Sequence, residues 1–499
     1  MKIEEMISEN YSSCCGCEAC ANICPKNAIS MTRDVEGFAY PKINSELCIK
    51  CGRCDSVCPS LNFREKDFPD ELPKTFVAVN PNEKVRRHSS SGGVFSALAE
   101  IILNDGGIVF GAGFDENFHV VHTSAENFDE MQNLRGSKYV QSQIGDVYKC
   151  VKKELESGRK VLFSGTSCQC AGLKSFLGGD SENLLTVDVF FHGVPSPEIW
   201  ESYIDYRGQG HEIVNVDFRN KTFGWLNSFF QITFEDCGRY RLPLNNDAFG
   251  KAFLDCLSQR PSCAECKFRF PNGQSDISIG DAWGIQNFAQ DMNDNRGTSL
   301  AVVHSEKGKN FFAKTDLKTR EINFDEWIKS NPYFLIPSVE DSRRKDFFAD
   351  LEKTKNPVIT MQKYFLQDSG KIGSENQQKI DSELDEKLRK ILGHYSKKRN
   401  KNALLFTVEW DEELEKSVRE KFSSSVENLG ILLALPVTNE KGETFLRYCD
   451  SKYLRLQFVI EMTEDSIKQL KKDYGLTNVL FFGKNADENV KKILYWLKN

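Results

Sequence analysis

The chain has 499 residues, 40% of them hydrophobic and 27% charged, with a formal charge of −7. That length exceeds one compact core and suits a globular protein with two or three. An acidic balance without a basic tract excludes nucleic acid as an expected partner. The start, MKIEEMISEN, lacks a basic region followed by an apolar run and does not read as a signal peptide. The stretch ALAEIILNDGGIVF is broken by Glu100, Asn104 and Asp105, so no membrane span is expected, and the location expected is cytoplasmic. Nine of the 17 cysteines precede residue 60. In a reducing compartment such density points to metal rather than disulfides.

The first burst spaces as Cys14-x2-Cys17-x2-Cys20-x3-Cys24-Pro25, the second as Cys48-x2-Cys51-x2-Cys54-x3-Cys58-Pro59. C-x2-C-x2-C-x3-C-P is the bacterial ferredoxin pattern, in which the fourth cysteine serves the other cluster. Three thiolates two residues apart wrap three corners of a cubane on one loop. The chain then leaves in the wrong direction for the fourth. Pro25 and Pro59 restrict the residue before each and suit the first turn of a short helix. One 4Fe–4S cluster is therefore assigned to Cys14, Cys17, Cys20 and Cys58, and a second to Cys48, Cys51, Cys54 and Cys24. Cys15 is left over as a bystander. Structural zinc sites show paired C-x2-C knuckles rather than triple runs ending in Cys-Pro. Residues 1–62 read as a small α+β, bacterial-ferredoxin-like domain.

A polar, proline-bearing linker (60–74) follows. TFVAV reads as a strand and SSSGGVFSALAEIIL (89–103) as a capped helix, with Val94, Phe95, Leu98, Ile101 and Ile102 at helical spacing. GIVFGAGF is a strand, and IGDVYKCVKKELESG a helix stopped by Gly158. KVLFSGTSCQCAGLKSFLG reads as strand, sharp turn and helix, followed by the strand LLTVDVFF; DISIGDAWGI and SLAVVHS add strand-like runs. Alternating strands and helices imply an α/β domain over 74–352 on a largely parallel sheet. Residues 353–402 read as a charged helical linker. Residues 403–499 read as a small C-terminal α/β domain of unassigned role, with strands ALLFTV, LGILLALPV, LRLQFVI and TNVLFFG and helices at 411–422, 463–474 and 486–498.

Three later cysteines stand out. Cys168 lies at a strand-to-helix turn, where free N–H groups favour anionic groups. Cys263 and Cys266 form a C-x2-C pair that alone fits zinc as well as iron–sulfur. SSSGGVFSALAE, GGIVFGAGF, LRGSKYVQS, VLFSGTSCQCAGL, HGVPSPEIW, RPSCAECKF and SDISIGDAWGI occur together and in order. The chain resembles the family of coenzyme F420 hydrogenase/dehydrogenase beta subunits over roughly residues 10 to 350, including members with an N-terminal two-cluster ferredoxin module. The resemblance implies a flavoprotein with FAD and a third 4Fe–4S cluster, for which Cys168, Cys263 and Cys266 look like ligands. The family usually has cysteine where this chain has Phe191, and proline where it has Ser167. Phenylalanine cannot ligate iron. The cluster then recruits Cys170, Cys256 or His192, keeps an open iron, or is lost; Cys170 reads equally as a small helix-face residue.

Two segments are candidates for the FAD diphosphate. RRHSSSGG offers Ser90, Ser91, Gly92 and Gly93, with Arg86 and Arg87, before a helix start. RGSKYVQS offers Gly136, Ser137 and Lys138, with Tyr139 placed to stack on or edge the isoalloxazine. By composition alone both are ordinary caps or turns. His192 is the candidate proton donor, and a structural histidine otherwise. The function expected is an iron–sulfur flavoprotein oxidoreductase linking a ferredoxin or another redox protein to a small two-electron acceptor or donor such as coenzyme F420. The alternatives are a ferredoxin-dependent reductase of another small metabolite and an electron-transfer subunit of a larger complex.

Overall fold

The computed structural model describes residues 2–9, 11–208, 210–365, 383–384 and 386–387, and four strands beyond residue 401. The chain divides into two units, 1–67 with 73–381, and 68–72 with 382–499. Residues 1–62 and 74–352, expected as separate domains, share the first unit. A module of this size has too little interior of its own. Ile3, Met6, Phe38 and Tyr40 instead join one buried cluster with Trp200, Phe218, Phe249 and Phe347. The same cluster takes in Val358, Met361 and Tyr364 of the helix Pro357–Phe365, so the packed fold runs past the boundary expected at 352.

The N-terminal module consists of a helix (Ile3–Glu9), an antiparallel hairpin of β1 (Ile29–Arg33) and β2 (Ala39–Ile43), and two five-residue helices, Ala19–Ile23 and Arg53–Val57. Each short helix ends on a cysteine in nearly the same extended conformation, Cys24 at φ −69, ψ 113 and Cys58 at φ −72, ψ 111. The prolines impose this by excluding helical backbone at the preceding residue. The helices therefore lie before Pro25 and Pro59, not after them as expected.

Beyond the linker come β3 (Lys74–Val79), β4 (Ile108–Phe114), β5 (Val120–Ala125), β6 (Val161–Thr166) and β7 (Leu184–Val189). A trio follows, β8 (Ile213–Asn220), β9 (Phe229–Phe234) and β10 (Arg239–Pro243), then β11 (Ile277–Asp281), β12 (Ser299–Val303) and β13 (Lys318–Ile322). The main sheet has the order β13-β3-β12-β11-β7-β6-β4-β5, and β8 to β10 form a separate antiparallel sheet. Only the centre, β4-β6-β7-β11, is parallel; β5, β12, β3 and β13 pair antiparallel. The largely parallel sheet expected is thus a mixed one. Val161, Leu162, Phe163, Leu184, Leu185 and Val187 are fully buried, as a strand covered on both faces requires.

The helix expected at 89–103 is Val94–Asn104. Residues 89–93 turn instead, because Gly92 packs against β3 so closely that a Cβ would lie 2.2 Å from the Ala78 carbonyl oxygen, and Gly93 takes a positive φ of 91°. In the second unit β14 (Asn402–Thr407), β15 (Gly430–Ala434), β16 (Arg455–Leu456) and β17 (Asn478–Phe482) form a parallel sheet of order β16-β15-β14-β17. All four coincide with expected strands, β14 beginning one residue before the expected ALLFTV. The helices expected at 411–422, 463–474 and 486–498 lie outside the described residues. Among those described, no helix is long and apolar enough to cross a membrane.

Candidate functional site

Cys14, Cys17, Cys20 and Cys58 are all buried and line one cavity, closed by Ile3, Met6, Met31 and Pro41. Burial pushes the Cys58 thiol up to about 12 and raises that of Cys20. A thiolate here therefore depends on a bound cation, and coordination to iron displaces the proton. The other set lies at the surface, with Cys51 exposed and Cys24, Cys48 and Cys54 half-buried. Ala28 N–H donates to Cys24 Sγ at 3.2 Å and Lys50 N–H to Cys48 Sγ at 3.4 Å. Such donors suit sulfurs that carry negative charge. No three metal-binding side chains among the described residues converge as they would on a single ion.

The helix Ser167–Leu177 backs the buried set. A Cβ at Gly172 would stand 2.9 Å from Cys17 Sγ and 3.0 Å from the Tyr148 hydroxyl. Gly172→Ala is expected to destabilise the fold by roughly 1–3 kcal/mol through overpacking and to lower the iron retained per chain. Chemical denaturation and iron analysis of the anaerobic protein check both.

A second cavity lies beside the first and is lined by Cys168, Cys263 and Cys266 together. Thr166 caps the helix Ser167–Leu177 reciprocally with Gln169, which sets Cys168 in the first turn, and Thr166 Oγ1 lies 3.1 Å from Cys168 Sγ. Cys263 ends the turn Pro261–Cys263. Arg269 lines the same space. Ser167, in the place of the family's proline, donates its hydroxyl to buried Asp188, which also accepts from Ser275 at 2.7 Å and from Ser278.

None of the three substitutes expected for the cysteine missing at 191 reaches this cavity. Cys170 is fully buried, with its Sγ 3.9 Å from the Val187 carbonyl. Cys256 accepts from Gln259 Nε2 at 3.2 Å and lies 3.9 Å from His192 Nδ1. His192 faces a different, larger cavity. Cys15, set aside as a bystander, does line the thiol cavity, as does Phe191.

The larger cavity, of about 890 Å³, brings the two candidate diphosphate segments together. Ser137 N–H donates to Ser90 Oγ at 2.6 Å. Ser90, Ser91, Gly93, Gly136, Ser137, Lys138 and Tyr139 all face it. Gly92 does not; its N–H is held by Ser299 Oγ at 2.8 Å. Arg86 is buried and committed to Asp294, at 2.6 and 2.8 Å, and Arg87 is exposed elsewhere. Burial pushes the Lys138 ammonium down to about 7. Tyr139 stacks on Phe253 at 4.6 Å and accepts from Arg219 Nη1 at 3.2 Å, so its ring is already packed. The volume lies within the range of cofactor sites, and the hydroxyls, glycines and cation at one end fit a diphosphate.

Sequence reasoning missed Arg219, Asp281 and Trp283, which also line this cavity. Arg219 Nη1 donates to Asp281 Oδ2 at 3.1 Å, and Trp283 stacks on Trp225 at 5.0 Å. The signal was present in DISIGDAWGI, where Asp281 and Trp283 follow a strand. His192 accepts at Nδ1 from Gln259 Nε2 at 3.3 Å, which assigns the ring proton to Nε2. Burial first, then the Arg269 charge, pushes its pKa down to about 4. Near neutral pH this ring donates a hydrogen bond; the environment disfavours the proton-donor role expected for it.

Thr166, Val189, Phe191 and Val194 line both the thiol cavity and the large one. The two spaces are separated by a single layer of side chains.

Residues 158–326 match the family model for the C terminus of the coenzyme F420 hydrogenase/dehydrogenase beta chain, and residues 13–62 match a 4Fe–4S dicluster domain. A subunit of the F(420)H(2) dehydrogenase of Methanosarcina mazei is 25% identical over 249 residues, 45% of this chain and 66% of that relative. The coenzyme F420-dependent sulfite reductase of Methanocaldococcus jannaschii is 26% identical over 179 residues, 35% of this chain and 26% of the reductase. A ferredoxin of Alicyclobacillus acidocaldarius is 36% identical over 73 residues, 14% of this chain and 87% of the ferredoxin. The chain thus spans just under two-thirds of the dehydrogenase relative and about a quarter of the reductase.

Proposed function

We infer that this chain, which belongs to the family of coenzyme F420 hydrogenase/dehydrogenase beta subunits and carries a 4Fe–4S dicluster domain near its N-terminus, is an iron–sulfur flavoprotein oxidoreductase. It passes electrons between a ferredoxin-type carrier and a small two-electron partner such as coenzyme F420. The observation that carries this reading is the shared wall of Thr166, Val189, Phe191 and Val194 between a thiol cavity and a cofactor-sized cavity. Exposure falls from the surface set at Cys51 to the buried set at Cys14, and the half-buried Cys168 lies at the wall beyond. That order supports a path from an external carrier inward. FAD bound in the large cavity would supply exchange between single electrons and pairs. Ser90, Ser137 and Lys138 would hold its diphosphate, and His192, neutral, would offer its Nε2 proton as a hydrogen-bond donor. Trp283, 39% exposed, is the lining residue on which a planar acceptor would stack.

The test is anaerobic purification with iron, acid-labile sulfide and flavin measured per chain, followed by assay of coenzyme F420 reduction with reduced ferredoxin. About twelve irons, as three four-iron clusters require, with one FAD and turnover, is the expected result. Reconstituted protein that holds no flavin would overturn the reading. The Methanosarcina relative is named as one part of a dehydrogenase, which favours one variant, in which turnover requires a docked partner. The name of the Methanocaldococcus relative favours another, in which a small metabolite is reduced. Activity of the isolated chain on coenzyme F420 excludes the first.

A further inference from the structure

We propose that Cys15 is the fourth ligand of the third cluster, taking the role that Phe191 cannot fill. This rests on the reading that Cys168, Cys263 and Cys266 hold a cluster. Four thiols, not three, line that cavity, and Cys15 is the fourth. Cys15 lies where the two thiol cavities meet: it lines the cavity of Cys14, Cys17, Cys20 and Cys58 as well as that of Cys168, Cys263 and Cys266. The dicluster pattern needs eight of the nine N-terminal cysteines and has no use for Cys15. The cavity, for its part, holds the phenylalanine ring of residue 191 where the family supplies sulfur.

The position is built rather than incidental. Arg260 Nε donates to the Cys14 carbonyl at 2.8 Å, and its Nη1 donates to Gln141 Oε1 at 2.9 Å. Gln141 Nε2 in turn donates to the Cys15 carbonyl at 3.2 Å. Ser60 Oγ donates to Cys15 Sγ at 3.7 Å. Gly16 takes a φ of +66°, and a Cβ there would meet Gln141 Nε2 at 2.6 Å and Arg260 Nη1 at 2.7 Å, so the chain is pressed onto these two side chains. Arg260 stands three residues before Cys263. The segment that presents Cys263 therefore also anchors the Cys14 carbonyl directly and, through Gln141, the Cys15 carbonyl. Ligation exchanges the S–H proton, released to solvent, for an S–Fe bond, with no change in oxidation state.

Cys15→Ser, Cys168→Ser and Cys15→Ser/Phe191→Cys are compared with the parent protein, all purified anaerobically. Iron per chain and the EPR spectrum after dithionite reduction are the readouts. Cys15→Ser should lose up to four of about twelve irons, or convert the third cluster to a three-iron species, with the spin-coupled spectrum of the N-terminal pair kept. The double variant, with four thiols restored to the cavity, should recover the third signal. Parent-level iron and an unaltered spectrum in Cys15→Ser would overturn the assignment while Cys168→Ser still loses iron. A parent with only about eight irons, unchanged by Cys168→Ser, would instead overturn the underlying three-cluster reading. If Cys15→Ser also loses the N-terminal pair, the double variant decides. Recovery of all three signals supports the assignment, and an intact N-terminal pair without the third signal overturns it.

Discussion

Replacing Arg260 with methionine is expected to destabilise the holo-protein by roughly 3–9 kcal/mol, about one to three for each of three acceptors left without a donor. Arg260 is 1% exposed and ties the Cys14 carbonyl, the Gln141 amide oxygen and, through Nη2 at 3.1 Å, the Ala39 carbonyl. Its guanidinium also lies 4.3 Å from the Tyr40 ring centre. Methionine fills much of the volume and supplies none of the donors. The loss should exceed that seen in metal-free protein, because the guanidinium also offsets the negative charge of thiolate-bound clusters. For the same reason the potential of the cluster at Cys14 should fall, since its reduced form carries one more negative charge. Arg260→Lys should not rescue either effect, as one ammonium cannot span three diverging acceptors. Denaturant melts and an EPR-monitored redox titration read the outcome; an unshifted midpoint contradicts it.

Lys138→Met is expected to weaken FAD binding roughly 10- to 100-fold, the range of a charge-assisted hydrogen bond. The larger prediction is the change in pH dependence. Lys138 donates to the Asn133 and Arg135 carbonyls at 2.6 and 3.1 Å, which leaves one donor for a ligand. Burial lowers its pKa to about 7 in the flavin-free site, with Asp217 the charge opposing that shift. An adjacent diphosphate favours the ammonium and raises the pKa on binding. Below about pH 7 the lysine is charged in both states, so affinity is flat. Above it, the free site has lost a proton that the complex retains, and affinity falls about tenfold per unit. Titration of the flavin-free protein with FAD between about pH 6 and 9 should show this slope and an accompanying proton uptake. Both should vanish in Lys138→Met. A slope that survives there assigns the proton to another group.

How legible the site was depended on whether its information was local. The two C-x2-C-x2-C-x3-C-P runs state a spacing requirement within a dozen residues, and Cys14, Cys17, Cys20 and Cys58 line one cavity together with Cys15. The strand-turn-helix around Cys168 was equally plain, because a strand, a capping threonine and a helical apolar stripe are adjacent in sequence. The part played by Cys15 was not legible. Its meaning comes from residues more than 150 positions away, at 168, 263 and 266, and nothing local separates a spare cysteine from a shared one. The same holds for Arg86, which composition offered to a phosphate and which the fold gives to Asp294. The mixed sheet was hidden for a related reason. β12 and β13 pair with β3, which lies more than 200 residues earlier, and local pattern carries no direction for such a pair.

The arginine three residues before Cys263 has a consequence for how the protein is made. A ribosome that has completed both cysteine-rich runs must still add about 200 residues before Arg260 and Cys263 emerge. At 5–20 residues per second this takes roughly 10–40 s. During that interval the nascent module lacks its buried guanidinium. Iron delivered early meets thiols without that positive charge; iron delivered after residue 260 meets them with it. The order of synthesis thus makes the larger domain the late-arriving source of the charge that supports the smaller one's cargo.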